Sequence, residues 1–227
     1  METIEKIKNG KLIAIMRGVP ADKIINTANA LLNGGVTLIE VTFNQSGDLL
    51  ETSSAIRRLI EQFGDSICVG AGTVMTEEQV RLAHTAGAKY IISPDTNPQV
   101  IKLAKELGLV AMPGALTPTE ISTAYRLGAD IVKIFPCGNF GPEYVKAIKG
   151  PISHIPLAAV GGVGLENINE FISAGISCFG LGSNIVDKKM LAENNFAGIT
   201  ALAKEYVRAI NGVERAGCSA TNNLGKE

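Results

Sequence analysis

Short apolar runs alternate along the chain with longer amphipathic segments, and a glycine precedes most of the runs. Leu32-Asn33-Gly34-Gly35 comes before Leu38-Ile39-Glu40-Val41, Ala86-Gly87-Ala88 before Tyr90-Ile91-Ile92, and Leu107-Gly108-Leu109 before Val110-Ala111-Met112. Leu127-Gly128-Ala129 comes before Ile131-Val132, and Ala174-Gly175-Ile176 before Cys178-Phe179-Gly180. Such a glycine supplies the left-handed residue that ends a helix. Gly87, Gly108 and Gly128 stand 21 and 20 residues apart, the length of one compact strand-plus-helix unit. The pattern predicts eight strands, at 11–17, 36–43, 66–71, 89–93, 109–113, 130–135, 155–160 and 177–181. Strands this short and apolar belong to parallel sheets buried on both faces. Thr76 before Glu77-Glu78-Gln79 and Thr117 before Pro118-Thr119-Glu120 read as helix N-caps, the second with Pro at N1 and Glu at N3. Eight such units predict an α/β protein closed into a (β/α)8 TIM barrel, with an open doubly wound sheet as the alternative. A short N-terminal helix at 2–9 precedes it. Residues 1–211 form the single domain, and 212–227, rich in Gly, Ser, Asn and charge, read as a flexible C-terminal tail.

Two charged residues break the apolar pattern. Lys133 lies inside Asp130-Ile131-Val132-Lys133-Ile134-Phe135-Pro136. An ammonium buried there is costly, and desolvation favours the neutral, nucleophilic amine that forms Schiff bases with carbonyls. The alternative is a lysine whose stem is buried while its head reaches water. Glu40, in Leu38-Ile39-Glu40-Val41-Thr42-Phe43, shares a strand face with Thr42. It is either a general acid/base with a raised pKa or half of a structural ion pair with Lys133.

Active sites of TIM barrels lie at the C-terminal ends of the strands. Strand 3 ends in Val69-Gly70-Ala71-Gly72-Thr73, small residues that admit a ligand or simply pack, followed by a hydroxyl. Strand 1 ends in Met16-Arg17-Gly18, whose arginine is either a fork for a carboxylate or an ordinary surface residue. Ser93-Pro94 and Met112-Pro113-Gly114 end strands 4 and 5 and are expected to shape the pocket rim. Gly161-Gly162 and Gly180-Leu181-Gly182-Ser183 end strands 7 and 8, each expected directly before a helix. Glycine turns at those two places form the standard TIM-barrel phosphate site, or else only tight turns.

Composition narrows the field further. A net charge of -1 gives no bulk attraction to nucleic acid or membrane. No apolar run approaches the roughly 18 residues of a membrane span, and the N-terminus lacks a signal-peptide layout, so the cytosol is the expected location. Cys68, Cys137, Cys178 and Cys218 form no close pair, and His84 and His154 have no metal-ligand spacing, so neither a disulfide framework nor a metal site is expected. Cys137 near the mouth has no basic partner and reads as packing.

Taken in order, these strand ends resemble the class I 2-keto-3-deoxy-6-phosphogluconate / 4-hydroxy-2-oxoglutarate aldolase family. The carriers are Met16-Arg17-Gly18, Ile39-Glu40-Val41-Thr42, Val69-Gly70-Ala71-Gly72-Thr73, Ile92-Ser93-Pro94, Met112-Pro113-Gly114, Val132-Lys133-Ile134-Phe135-Pro136, Gly161-Gly162 and Gly180-Leu181-Gly182-Ser183. The resemblance implies a lyase of carbohydrate metabolism without metal or organic cofactor, usually a homotrimer. It implies Lys133 as the Schiff-base lysine and Glu40 as the proton shuttle. Arg17, Thr73 and Gly72 would hold the substrate carboxylate. Thr42, Pro94, Pro113, Phe135 and Val160 would line the pocket, and Gly161, Gly162, Gly182 and Ser183 would bind the distal phosphate. The implied reaction cleaves a phosphorylated 2-keto-3-deoxy sugar acid to pyruvate and glyceraldehyde 3-phosphate, with 4-hydroxy-2-oxoglutarate, giving pyruvate and glyoxylate, as a further candidate substrate. Many members carry an arginine just after strand 2, where this chain has Phe43-Asn44-Gln45, so Arg17 is expected to supply that charge. Ala159-Val160-Gly161-Gly162 replaces the Pro-Thr-Gly-Gly of gluconate-type members and, with Phe140-Gly141-Pro142, resembles the 2-keto-3-deoxy-6-phosphogalactonate branch. The reading that competes is a phosphate-binding barrel isomerase or synthase without a covalent lysine. A barrel retired to a binding role is disfavoured, because apolar replacements of Lys133 and Glu40 would then stabilise the core.

Overall fold

The computed structural model describes the backbone of residues 2–220 and the side chains of residues 2–212. Helix α1 (Thr3–Gly10) leads into β1 (Leu12–Met16), α2 (Ile24–Asn33), β2 (Leu38–Thr42), α3 (Leu49–Phe63), β3 (Cys68–Gly72), α4 (Glu77–Thr85) and β4 (Tyr90–Ile92). There follow α5 (Pro98–Glu106), β5 (Val110–Met112), β6 (Gly114–Ala115), α6 (Pro118–Arg126), β7 (Val132–Ile134), α7 (Gly141–Lys149) and β8 (Leu157–Val160). The chain closes with α8 (Ile168–Ser173), β9 (Cys178–Leu181), α9 (Lys188–Ala192) and α10 (Phe196–Ala220).

Every described pairing is parallel, in the order β5-β4-β3-β2-β1-β9-β8-β7-β6. The fifth predicted strand, 109–113, stops as β5 before Pro113, which lacks the N–H a ladder needs, and the chain pairs again beyond it as β6. β5 pairs with β4 and β6 with β7, so one stretch of chain joins both edges and the barrel closes. This is the (β/α)8 barrel that the eight apolar runs predict. Thr76 and Thr117 both close capping boxes, with Gln79 and Glu120 at N3.

Alternation sorts each strand between two cores. Ile13, Leu38, Cys68, Tyr90, Val110, Ile131, Ala158 and Cys178 fill the barrel interior, and Ile7 of α1 plugs its N-terminal end. Leu12, Ile39, Val69, Ile91, Ala111, Val132, Leu157 and Phe179 face outward against the helices. The interior is therefore a packed floor, and function is confined to the next layer up. Tyr90 is central to that floor: its hydroxyl donates to the Ile39 carbonyl at 2.7 Å, and Gly70 leaves room for its ring. Helix α10 takes in the beginning of the segment expected as a tail from Gly212, and residues 221–227 lie outside the described ones. No helix among the described residues is long and apolar enough to cross a membrane.

Candidate active site

Lys133 and Glu40 occupy the layer just above that floor. Lys133 sits mid-strand in β7, in register with Gly114 and Ala158. Its backbone N–H donates to the Pro113 carbonyl at 2.9 Å, so the break in the fifth strand helps to seat it. Its side chain is 6 % exposed, and Nζ lies 4.6 Å from the centroid of the Phe135 ring. Burial pulls its pKa below the ordinary lysine range, with Glu40 raising it and Arg17 adding to the fall. Glu40 is 1 % exposed, and its Oε2 is buried without a protein hydrogen-bond partner. Burial lifts its carboxyl above the usual range, against the opposite pull of Lys133 and then Arg17. Among the described residues, no ion pair within 4.0 Å joins the two. The structural ion pair is thus not what this geometry shows. An amine with a lowered pKa and a carboxyl with a raised one face one cavity instead.

That cavity has a volume of about 510 Å3, a size that suits a small metabolite. Arg17, Glu40, Thr73, Pro94, Lys133, Phe135 and Val160 line its inner part. Arg17 is an exposed side chain, yet it turns over the mouth, and its Nη2 donates to Thr73 Oγ1 at 3.0 Å. Gly161, Gly162, Gly182 and Ser183 line the distal part together with Asn184 and Lys188. Gly161 and Gly162 have φ of 82° and 74°, and Gly162 lies so close to Gly138 that a Cβ would stand 2.9 Å from the Gly138 Cα. Among the described residues, no protein acceptor takes the backbone N–H of Gly162, Val163 or Ser183. Those donors are available to an anion.

A larger cleft of about 900 Å3 opens on the other side of Arg17 and Thr73, between the ends of β1 and β2 and helices α2 and α3. It contains neither Lys133 nor Glu40, so the chemistry belongs to the smaller cavity.

Comparison with known proteins agrees with this geometry. The family model "KDPG and KHG aldolase" matches residues 3–202. The chain is 35% identical over 200 residues to the 2-dehydro-3-deoxy-6-phosphogalactonate aldolase of Escherichia coli, covering 88% of this chain and 96% of that one. It is 32% identical over 212 residues to the 2-dehydro-3-deoxy-phosphogluconate aldolase of Haemophilus influenzae, covering 92% and 97%. The chain belongs to the KDPG and KHG aldolase family. Among solved structures, the KDPG aldolase of Legionella pneumophila superposes with a TM-score of 0.78 at 27% identity, covering 86% of this chain and 92% of that one. That neighbour holds pyruvate captured at low pH as a covalent carbinolamine. The chain is accordingly an aldolase, a lyase.

In this aldolase most of the site residues picked out in the sequence converge, and three stand apart from the cavity wall. Gly72 is covered by Glu40: a Cβ there would overlap the carboxyl group and stand 2.7 Å from Glu40 Cγ. The side chain of Glu40, in register with Gly70, leans along the sheet toward the mouth and uses Gly72 as its seat. Thr42 faces the neighbouring cleft, and Pro113 is buried beneath the β7 backbone. The expectation that the glycine turns run directly into helices is also corrected. Helix α8 begins only at Ile168, because the consecutive positive-φ residues Gly161 and Gly162 cannot start a right-handed helix, and α9 begins only at Lys188. Asn167 stabilises the intervening loop instead, donating to the Gly162 carbonyl and accepting from the Gly164 N–H. After β9, Gly182 closes a single turn by accepting from the N–H groups of Ile185 and Val186, and Asp187 caps α9.

Sequence reasoning missed Lys188, Asn184 and the Gln45–Gln79 pair. Lys188 carried no signal among 21 lysines and arginines. The cysteines behave as read: Cys68, Cys137 and Cys178 are buried and free, and burial pushes the Cys137 and Cys178 thiols up to about 12. Cys218 lies outside the described side chains. Among the described residues no His, Cys, Asp or Glu cluster could hold a metal ion.

Proposed function

We propose that the protein is a class I aldolase that cleaves a phosphorylated 2-keto-3-deoxy sugar acid to pyruvate and glyceraldehyde 3-phosphate. One observation carries the reading: a buried lysine with a lowered pKa and a buried glutamate with a raised one face the same cavity without pairing. The neutral Lys133 amine adds to the C2 carbonyl to give a carbinolamine. Glu40, protonated at the outset, gives its proton to the departing hydroxyl, and water leaves as the iminium forms. Now a carboxylate, Glu40 takes the proton of the C4 hydroxyl. The C3–C4 bond breaks, its electrons pass to the iminium as an enamine, and the aldehyde departs. Glu40 returns the proton to C3, and water releases pyruvate from the lysine. Arg17 and Thr73 hold the carboxylate at the mouth side. The N–H groups of Gly162, Val163 and Ser183, with the Lys188 ammonium, receive the distal phosphate.

The galactonate epimer is the preferred substrate in this reading, because Val160 offers no hydroxyl where gluconate-type members carry threonine, and a phosphogalactonate aldolase is among the relatives. 4-Hydroxy-2-oxoglutarate is a secondary substrate, since the KHG/KDPG aldolase of Escherichia coli is 30% identical over 203 residues. A homotrimer acting in the cytoplasm, built on one barrel domain over 1–211, completes the proposal on the strength of the family resemblance. Intact-mass measurement after incubation with pyruvate and borohydride, followed by peptide mapping, tests the central step. A single reduced pyruvyl adduct on Lys133 is expected. A folded protein without an adduct would return the phosphate-binding isomerase to first place.

A further inference from the structure

Thr73 follows β3 directly, in a conformation that its β-branched side chain resists. Its φ is 56°, in the left-handed region that glycine occupies freely. Its neighbours hold it there. The Thr73 carbonyl accepts a hydrogen bond of 2.8 Å from Nε2 of Gln45. Oε1 of Gln45 accepts from Nε2 of Gln79 at 3.0 Å. Oε1 of Gln79 accepts from the backbone N–H groups of Met75 and Thr76, at 2.7 and 3.2 Å. The chemistry fixes the direction of this relay. Two N–H donors face the Gln79 oxygen, so its amide nitrogen must face Gln45. Gln45 then presents oxygen to Gln79 and nitrogen to Thr73. Gln79 is 2 % exposed and is the N3 residue of the α4 capping box, so the far end of the relay is anchored in packed structure. At the near end, Thr73 Oγ1 accepts from Arg17, and both residues line the cavity of Lys133.

We infer that Gln45 is a positioning residue: the Gln79–Gln45 relay locks Thr73 in its left-handed conformation, so that the threonine hydroxyl and Arg17 together grip the substrate carboxylate. Gln45 lines the outer cleft and not the cavity of Lys133, so it acts from behind the grip and does not touch substrate. Asn44 and Gln45 occupy the place after β2 where an arginine would reach the carboxylate directly. In this chain the charge comes from β1, through Arg17, and the residues after β2 orient the threonine that Arg17 leans on. The inference rests on the keto-acid reading of the cavity.

Two size-preserving variants test it. Gln45→Glu keeps the acceptor for Gln79 but sets an oxygen against the Thr73 carbonyl. Gln79→Glu keeps the acceptor for the Met75 and Thr76 N–H groups but sets an oxygen against Gln45, forcing its amide to turn over. Borohydride trapping is measured across pyruvate concentrations, alongside the melting temperature. In both variants the half-saturating pyruvate concentration should rise about tenfold or more, as loss of a well-aimed charged hydrogen bond requires, while the trapping rate at saturation stays within about twofold. The melting temperature of Gln45→Glu should match the parent. Unchanged half-saturation in both folded variants overturns the inference. So does a fall in the saturated rate alone, which would place the effect on Lys133. Failure of the unsubstituted protein to form any adduct would instead count against the Schiff-base reading.

Discussion

Gly72→Ala probes the active site by adding a single methyl group away from any substrate contact. An ideal Cβ at that position overlaps the Glu40 carboxyl group and stands 2.7 Å from its Cγ. Non-bonded carbons need about 3.5 Å, so even the Cγ must give way by roughly 1 Å and the carboxyl by more. Retreat toward the barrel floor is blocked, because the Tyr90 ring fills the space above Gly70 and is pinned through its hydroxyl to Ile39. The carboxyl is therefore pushed out of line with the reacting carbons. A misplacement of about 1 Å costs on the order of 10²-fold, and complete loss of general acid–base assistance costs about 10²–10⁴-fold. The kcat for pyruvate release should fall into that range, and overpacking should cost about 1–3 kcal/mol of stability. Lys133 lies on another strand, so reduced-adduct mapping with pyruvate should still find it modified, at a slower rate. The decisive comparison is a double-mutant cycle with Glu40→Gln. If Gly72 acts through Glu40, the double variant should be no slower than Glu40→Gln alone. A folded Gly72→Ala enzyme with near-parental kcat, or full additivity with Glu40→Gln, would refute the seat assigned to this glycine.

The pH dependence of imine formation should respond to the charge of Arg17 over the cavity. The acid limb reports loss of the Lys133 proton. Arg17→Met removes a charge that lowers the Lys133 pKa and should move that limb to higher pH. A limb that stays in place or moves to lower pH, read from the rate of borohydride trapping against pH, would contradict this arrangement. For cleavage, the alkaline limb should follow Glu40, with the rate lost as pH rises through its raised pKa. Lys188→Ala should raise KM for the phosphorylated substrate about tenfold or more, consistent with one charge-assisted hydrogen bond, and leave KM for 4-hydroxy-2-oxoglutarate unchanged; equal effects on both would remove Lys188 from the phosphate site. Val160→Thr, nearly isosteric, should shift the ratio of kcat/KM values toward the gluconate epimer, and an unchanged ratio would place epimer choice elsewhere.

The residues legible in the sequence were those whose chemistry contradicts their own strand. Lys133 and Glu40 stand out because each breaks an otherwise apolar run, and no long-range information is needed to see it. The barrel was legible for a related reason: each strand is buried on both faces, so its signature is local composition bounded by glycine. The place of Gly72 beneath Glu40 was not legible, because what a glycine makes room for lies on another strand. The residue that needs its missing Cβ is Glu40, from β2. The break at Pro113 was half legible. Proline rules out a continuous ladder, but that the broken strand would pair with β4 on one side and β7 on the other is a property of closure.

The Gln45–Gln79 relay marks where local reading ends. It joins the loop after β2, the residue that follows β3 and the first turn of α4, and neither glutamine departs from what its own segment favours. Gln79 looks like a plain capping-box residue and Gln45 like a polar loop residue. Their role follows from Thr73, whose positive φ is invisible in a sequence where Gly72-Thr73 reads as an ordinary strand end. The absence of an arginine in Phe43-Asn44-Gln45 was visible, and so was Arg17 as a candidate to supply that charge. What could not be read is the relay itself, from which we infer that moving the charge to β1 changes the work of the vacated position. An arginine there would bind the carboxylate itself. Once Arg17 reaches in from β1, the loop after β2 is left to hold its partner Thr73 at the angle the grip requires.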